Sequence, residues 1–461
     1  MTLLQALSKR LQCWEEVFAQ LRTHARASAL ALGLLCGVGQ RTITRALGFL
    51  GWQDQDWTTN YRVFSRSPWE AKELFVPVMK EALEKWVPAQ GPIALALDDT
   101  GVPRSGKKIA TASWQRDPMS PPFHVNLRWG QRFLQATLLL PLYRVDRQSS
   151  PRSVPVSFTE CPVPKKPGKR ASQEEQKAYK QARKRKNLSQ RFVELAAQLR
   201  KQFDELGYQD RVLHLLGDGS YCNRTTFRAE LERSTLTCRA RKDLRLCFRH
   251  PGSGRRYYGE KTFTPEEVYA DDSIAWQEMT LFHGGKWRRV FCKEVTRVLW
   301  RRGGAKKFLR LIVVRERNYY GKENRRYRRQ RAYLLSTDLE RSLKGLVQEY
   351  FDRFEIEFNH RDEKKILGVG QAQVWSEKSV PRVPEFMVAT YSLLLLSGLA
   401  AYGPTRSKDY LPLPKWRRQP RRASCQDLVN LLRKQIDHAS KARTPEDKIS
   451  RFMQMILQSA A

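Results

Sequence analysis

No Cys-x-x-Cys pair occurs among the eight cysteines (13, 36, 161, 222, 238, 247, 292 and 425), and no His/Cys cluster has zinc spacing. That excludes a structural zinc module and leaves the cysteines as reduced, buried thiols of a cytoplasmic protein. No apolar run reaches the roughly 20 residues that span a bilayer. The longest, Met387 to Tyr402, contains Thr390, Ser392 and Ser397 and is expected as a buried core helix. No N-terminal stretch joins basic residues, an apolar core and a cleavage site, because Met1 to Leu11 already reads as an amphipathic helix, so secretion is not expected. Extended low-complexity tracts are missing too, and 41% hydrophobic with 10% aromatic residues excludes a disordered or fibrous chain. Acidic residues are the scarce class: 47 Asp and Glu stand against 84 Lys and Arg, a formal net charge of +37 over 461 residues. A folded chain with that surplus fits a polyanionic partner, nucleic acid before an anionic membrane surface. The length provides for two or three domains, each with its own core.

From Leu3 to about Trp86 the apolar spacing is helical, broken at Gly37 to Gly39 and at Gly51 to Asp56. Within it Gln40 to Leu47 follows a glycine-containing turn and reads as the second helix of a helix-turn-helix, with Arg41 and Arg45 either on DNA or on a solvated face. After Pro92 the period changes. Ile93-Ala94-Leu95-Ala96-Leu97 is a continuous apolar run that fits a strand buried on both faces, ending in Asp98-Asp99-Thr100-Gly101. Further strands are expected at Gln135–Tyr143, at Val212–Leu216 ahead of Gly217-Asp218-Gly219, and from Leu236 to Arg239. Pro162 to Lys186 is rich in Pro, Lys and Arg and reads as a mobile basic excursion or plain linker before a helix over Leu188–Leu206. Glu260 to Leu335 alternates strand-like pieces with basic turns, and Glu340 to Leu367 returns to helical periodicity. The apolar helix follows, then a basic stretch from Lys415 to Arg422 and two short terminal helices.

Strand ends open onto crevices in α/β sheets, so an acidic residue there is placed to hold a ligand. Asp98 or Asp99 ends one such strand and Asp218 another, although each read alone is equally a turn former. The stretch Tyr350 to Lys364 is more informative. At roughly 100° per residue, Tyr350, Arg353, Glu357 and Lys364 fall within an arc of about 60° on one helix. Beside them Leu343, Val347, Phe351, Phe354 and Phe358 form an apolar stripe that would set Glu357 at the margin of a core. An ordinary Arg353/Glu357 surface pair is the bland alternative, and it needs neither the Tyr nor the Lys in register.

The spacing Tyr-x2-Arg-x3-Glu-x6-Lys resembles the signature of the large insertion-sequence class of bacterial DDE transposases, whose fold is ribonuclease H-like. The order agrees: Asp99-Thr100 on the first strand, Asp218 on a later one, a β-rich insertion, then the Glu357 helix, so the resemblance covers about 93–364. Asp98 and Asp99 face opposite sides of their strand, so only one is a ligand, and Asp99 is the one in the family's Asp-Thr context. The Gly217-Asp218-Gly219-Ser220 context departs from the commoner Asp-Arg form.

The resemblance implies an α/β class with a ribonuclease H-like mixed sheet flanked by helices. The expected organisation is an N-terminal helical DNA-binding domain over 1–88, a catalytic core over 89–258 and 338–385, a β-rich insertion over 259–337, and a C-terminal helical region over 386–461. It implies Mg²⁺-dependent cleavage of transposon ends and strand transfer, with Asp99, Asp218 and Glu357 holding two Mg²⁺ ions and Mn²⁺ able to substitute. Arg353 and Lys364 suit phosphates near the cut, and Tyr350 suits a phosphate or a displaced base. Arg104, Lys107 and Lys108, with Arg239 and Arg241, are candidates to line a DNA channel or to be plain solvated surface, while Trp287 and Trp300 are stacking candidates or core. Double-stranded DNA with terminal inverted repeats, a homodimer on that DNA and a cytoplasmic, nucleoid-associated location follow as expectations. The alternatives are a catalytically inactive DNA-binding descendant and a basic RNA-binding protein with a ribonuclease H-like core.

Overall fold

The computed structural model describes residues 1–439 apart from 110, 118–119, 122, 186, 253–254 and 321–325. The chain opens with α1 (Leu3–Gln12), where Thr2 and Gln5 form a reciprocal capping box that satisfies otherwise orphaned N–H groups. Next come α2 (Leu21–Cys36) and α3 (Ile43–Leu50), the latter capped by Thr42 and stopped by Gly51 at φ 70°. Gly33 lets these two helices touch, because a Cβ there would meet Ala46 at 2.9 Å. The first helical segment closes with α4 (Thr58–Ser65) and α5 (Val76–Lys85).

The strands β1 (Ile93–Pro103), β2 (Ser113–Arg116), β3 (Leu127–Leu140) and β4 (Arg152–Glu160) follow. Pro141 ends β3, so the strand expected to reach Tyr143 stops sooner and begins earlier. The Pro/Lys/Arg-rich excursion is partly helical, since α6 (Gln173–Arg185) precedes α7 (Leu188–Glu205). Then come β5 (Leu213–Gly217), α8 (Arg224–Arg228), β6 (Ser234–Ala240), β7 (Leu246–Arg249), β8 (Tyr258–Phe263) and α9 (Pro265–Ala270). The strands β9 (Gln277–His283), β10 (Lys286–Val298), β11 (Leu309–Val314), β12 (Arg317–Tyr320), β13 (Arg326–Arg329) and β14 (Ala332–Ser336) complete the β-rich stretch. Four helices close the described chain: α10 (Leu343–Asp352), α11 (Glu355–Lys365), α12 (Ser379–Tyr402) and α13 (Cys425–Ala439). The second terminal helix expected beyond α13 lies outside the described residues.

Two compact units emerge, one of residues 1–89, 99–186 and 355–461, the other of 90–98 and 187–354. In the first, α12 is the core helix: nearly its whole length from Val383 to Leu399 is buried, as the apolar run implied, and it packs on α1, α2 and β4. Burial of that much aliphatic surface, at roughly 25 cal/mol per Å², is the main term holding this unit together. Here too β3 pairs antiparallel with β2 and β4, and Asn359 docks α11 through hydrogen bonds to Thr137 Oγ1 at 3.2 Å and to the Ser153 carbonyl at 3.4 Å.

In the second unit β5 lies between β1 and β6, parallel to both, and β6 is followed by β14, β11, β10 and β9 in antiparallel pairs. Strands of the β-rich stretch therefore extend the same sheet. The helix α10 covers the face of β5 that carries His214, and Gln348 pairs both ways with the Phe282 backbone of β9. The parallel strands β1, β5 and β6 and the antiparallel run from β14 to β9 make one mixed sheet in this unit. This is the ribonuclease H-like mixed sheet flanked by helices.

Candidate active site

Asp218 follows the last residue of β5, where the chain turns into a short 3-10 helix that it caps: its Oδ1 accepts from Ser220 N at 2.9 Å and Ser220 Oγ at 2.6 Å. The glycine before it is required by packing. A Cβ on Gly217 would meet Cys238 Sγ and Tyr221 Cβ at 3.0 Å, and the Tyr221 ring is held at a tilt against Phe192 of α7, centroids 4.8 Å apart.

The parallel register pairs Ala94 with His214 and Ala96 with Leu216. Two residues further along each strand come Asp98 and Asp218, so alternation directs these two carboxylates to the face that α10 covers. Asp99 points to the opposite face of β1, where Arg132 of β3 donates to its Oδ2 at 2.7 Å. Arg132 was not anticipated from sequence, since pairing of two strands decides the contact.

The expected single helix carrying the Tyr-Arg-Glu-Lys stripe is two helices. Arg353 caps the end of α10, and α11 restarts at Glu355. Tyr350 and Arg353 belong to the first of these, Glu357 and Lys364 to the second. Tyr350 is 9% exposed, too enclosed to stack on a base; burial raises its hydroxyl pKa, and the Arg353 guanidinium lies 5.4 Å from its ring centroid. Phe354, assigned to the apolar stripe, is 49% exposed because the chain turns there. On α11 the inner face is Ile356, Asn359, Asp362 and Glu363; Glu357 is exposed on the outer face and Lys364 is half-buried.

Several expected DNA contacts are structural. Arg104 is buried, donating to the carbonyls of Gly370 at 2.7 Å, Ala372 at 3.0 Å and Val380 at 3.2 Å; burial lowers its pKa to about 10. A guanidinium so occupied cannot reach a phosphate. Arg41 is likewise buried, with its N–H on Gln371 and its guanidinium turned towards the Ile366 carbonyl. Arg45, by contrast, is exposed on α3, as a helix-turn-helix contact requires. Arg239 is exposed beyond Cys238, and Arg241 is exposed but pairs with Asp243 at 2.7 Å. Trp300 packs edge-on against Phe227, and Trp287 against Phe282 with 39% of its surface open. All eight cysteines are free thiols; Cys13 is exposed and Cys222 half-buried, and the other six are buried as expected.

The strand expected to end at Asp98 and Asp99 runs on to Pro103, so both lie within β1. Carboxylate oxygens are the donors that small divalent cations prefer, and Asp98 within β1 and Asp218 just past β5 bring two of them to one level of adjacent strands. Among the described residues no three His, Cys, Asp or Glu side chains form a ready-made metal cluster.

A family model described as "DDE superfamily endonuclease" matches residues 16–307, a span that contains Asp98, Asp99 and Asp218 and stops before α10 and α11. A solved structure, the cryo-EM piggyBac transposase synaptic complex with hairpin DNA, is similar at a TM-score of 0.35 and 11% identity, covering 93% of this chain and 76% of that one. No curated protein matches the chain.

Proposed function

The chain belongs to the DDE superfamily endonucleases, and from that premise we propose that it is a DNA transposase, cutting double-stranded DNA at terminal inverted repeats and transferring the freed strand. The observation that carries this is the family match over a span that includes Asp99 of β1 and Asp218 after β5. The surplus of 84 basic over 47 acidic residues supports a DNA partner.

Asp99, Asp218 and Glu357 are the proposed carboxylates for a pair of Mg²⁺ ions, with Mn²⁺ able to substitute. When bound, such a pair supplies charge compensation at the attacking and leaving oxygens and activates a water nucleophile. The protein's own groups do the positioning. Arg353, half-buried and braced over the Tyr350 ring, is the guanidinium proposed for a phosphate beside the cut; Lys364 adds a point charge, and Arg239 an exposed one. Tyr350 keeps its proton because burial raises its pKa, and it acts on DNA through Arg353. Arg45 reads the duplex from α3, and a homodimer gathers two element ends. A second reading of the first carboxylate, Asp98 in place of Asp99, is favoured by the β1–β5 register.

The test is cleavage of a duplex bearing the element's own end with the purified chain and MgCl2. Asp218→Asn and Glu357→Gln should each lose cleavage by roughly 100-fold or more, since even groups supporting metal ligands are worth roughly 10- to 100-fold, while DNA retention on a gel is unchanged. Full cleavage by either variant removes that residue from the site, and no cleavage by the wild type would favour the DNA-binding descendant.

A further inference from the structure

The N-terminal helices enclose a cavity of about 330 Å³ that the catalytic reading does not use. Its walls come from matching stripes on two helices. Thr23 and Arg26 stand three residues apart on α2; Thr59, Arg62 and Arg66 stand at successive turns along α4 and its C-cap. Each helix thus offers a hydroxyl followed by a guanidinium to the same space. Ser67 adds a third hydroxyl, and the buried side chains of Phe18 and Val63 close the floor.

Among the described residues no acidic side chain lines this cavity. None of the three arginines forms a salt bridge among the described residues. Asp56, which interacts electrostatically with Arg62 and Arg26, lies outside the lining and already accepts from Thr58 N at 2.9 Å. Arg62 and Arg66 are exposed and Arg26 is half-buried, so an entering anion meets guanidinium donors without displacing a protein partner. Thr59 Oγ1 and Ser67 Oγ already donate to the Asp56 and Arg62 carbonyls, each at 3.2 Å, so the donors left for an anion are three guanidiniums and the Thr23 hydroxyl, with no carboxylate in the lining to repel it, and that is the donor set of a phosphate site. The volume lies at the low end of ligand clefts, roughly 300–1,000 Å³, and suits one phosphate group with ordered water.

We propose that this cavity binds a phosphate group, held by Arg26, Arg62 and Arg66 with Thr23. A nucleic-acid phosphodiester and a free phosphate compound share that chemistry; the first source rests on the transposase reading and the second does not. The double variant Arg62→Gln/Arg66→Gln alters exposed positions, and its melting temperature checks that it folds. The full chain is titrated with duplex DNA over a range of salt concentrations, and separately with pyrophosphate by calorimetry.

If the phosphate belongs to DNA, the double variant binds all sequences more weakly and the slope of log affinity against log salt shrinks by about 1. Arg62→Lys/Arg66→Lys then restores most of the slope. If the ligand is a free phosphate compound, the slope is unchanged but pyrophosphate binding to the wild type is lost in the Gln variant. Unchanged slope together with no pyrophosphate binding overturns the site. A wild type that binds no DNA removes the transposase reading alone and leaves the pyrophosphate arm to decide.

Discussion

His214 on β5 and Glu349 on α10 meet Nδ1 to Oε2 at 2.5 Å, with the histidine fully buried and the glutamate 14% exposed. Arg341 joins them, its Nη1 2.9 Å from the same carboxylate oxygen. Burial by itself raises the Glu349 pKa, but the hydrogen bond and charge of His214, then those of Arg341, overcome it and hold the carboxyl at about 2. This contact ties the strand that leads into Asp218 to the helix that carries Tyr350 and Arg353.

A carboxyl depressed in the folded state stabilises the protein above its unfolded pKa, and that stability is lost as pH falls through the folded value. Glu349→Gln should therefore destabilise the protein at pH 7 by on the order of 3 kcal/mol. The gap to wild type in urea titrations should close as pH falls from about 4.5 towards about 2. A gap that stays constant over that range refutes the coupling.

Arg104 separates two readings of one cation. As a DNA-channel residue it would set salt dependence; as the buried group that holds two carbonyls of the segment between α11 and α12 and one in the first turn of α12, it sets stability. Arg104→Met should cost about 3 kcal/mol in urea unfolding, because three buried carbonyls and the Gln131 amide lose their donor. The salt slope of DNA binding should not move. A changed slope with unchanged stability would return Arg104 to the DNA surface.

Arg104 also marks the limit of what the sequence makes legible. Strands β1, β5 and β6 were readable because continuous apolar runs bounded by Gly and Asp have few other solutions. The core helix α12 was readable because its apolar run is too long for a strand. The strand β4 was missed because Pro155 and two serines, Ser153 and Ser157, dilute its pattern, although burial runs unbroken from Arg152 to Phe158. The direction taken by an arginine is settled by partners far away in sequence: Arg104 finds Val380 and Arg41 finds Ile366. His214 carried a weak signal, a lone histidine inside Val-Leu-His-Leu-Leu, and a buried partner such as Glu349 is what that placement requires. The break between α10 and α11 carried none, since Arg353-Phe354 contains no Gly or Pro.

Glu363, six residues past Glu357, lies on the inner face of α11 and is 1% exposed. Burial pushes its carboxyl up to about 8, with Gln135 and Lys364 pulling the other way. A carboxyl raised in the folded state is neutral where the unfolded chain is charged, so stability declines as pH climbs from about 4.5 to about 8. Glu363→Gln keeps the shape without the titration. It should be more stable than wild type by roughly 3 kcal/mol at pH 7 and indistinguishable from it near pH 4. Equal stability at both pH values would show that Glu363 is charged in the folded protein.

The neighbouring aspartates of β1 are separable by experiment, because strand alternation gives them different surroundings. Asp98 shares a level and a face with Asp218, which favours it as a cation ligand on geometry. Asp99 has the Asp-Thr context, and Arg132 at 2.7 Å supplies the positive charge that a ligand carboxylate needs while no cation is bound. If Asp99 is the ligand, Asp99→Asn should reduce Mg²⁺-dependent cleavage by roughly 100-fold, whereas Asp98→Asn stays within a few-fold of wild type. Arg132 competes with the cation for the same oxygens, so Arg132→Gln should tighten Mn²⁺ binding, followed by the paramagnetic signal of the free ion. The reverse ranking of the two Asn variants, with Mn²⁺ affinity unmoved by Arg132→Gln, assigns the role to Asp98 and leaves Asp99–Arg132 as a structural ion pair.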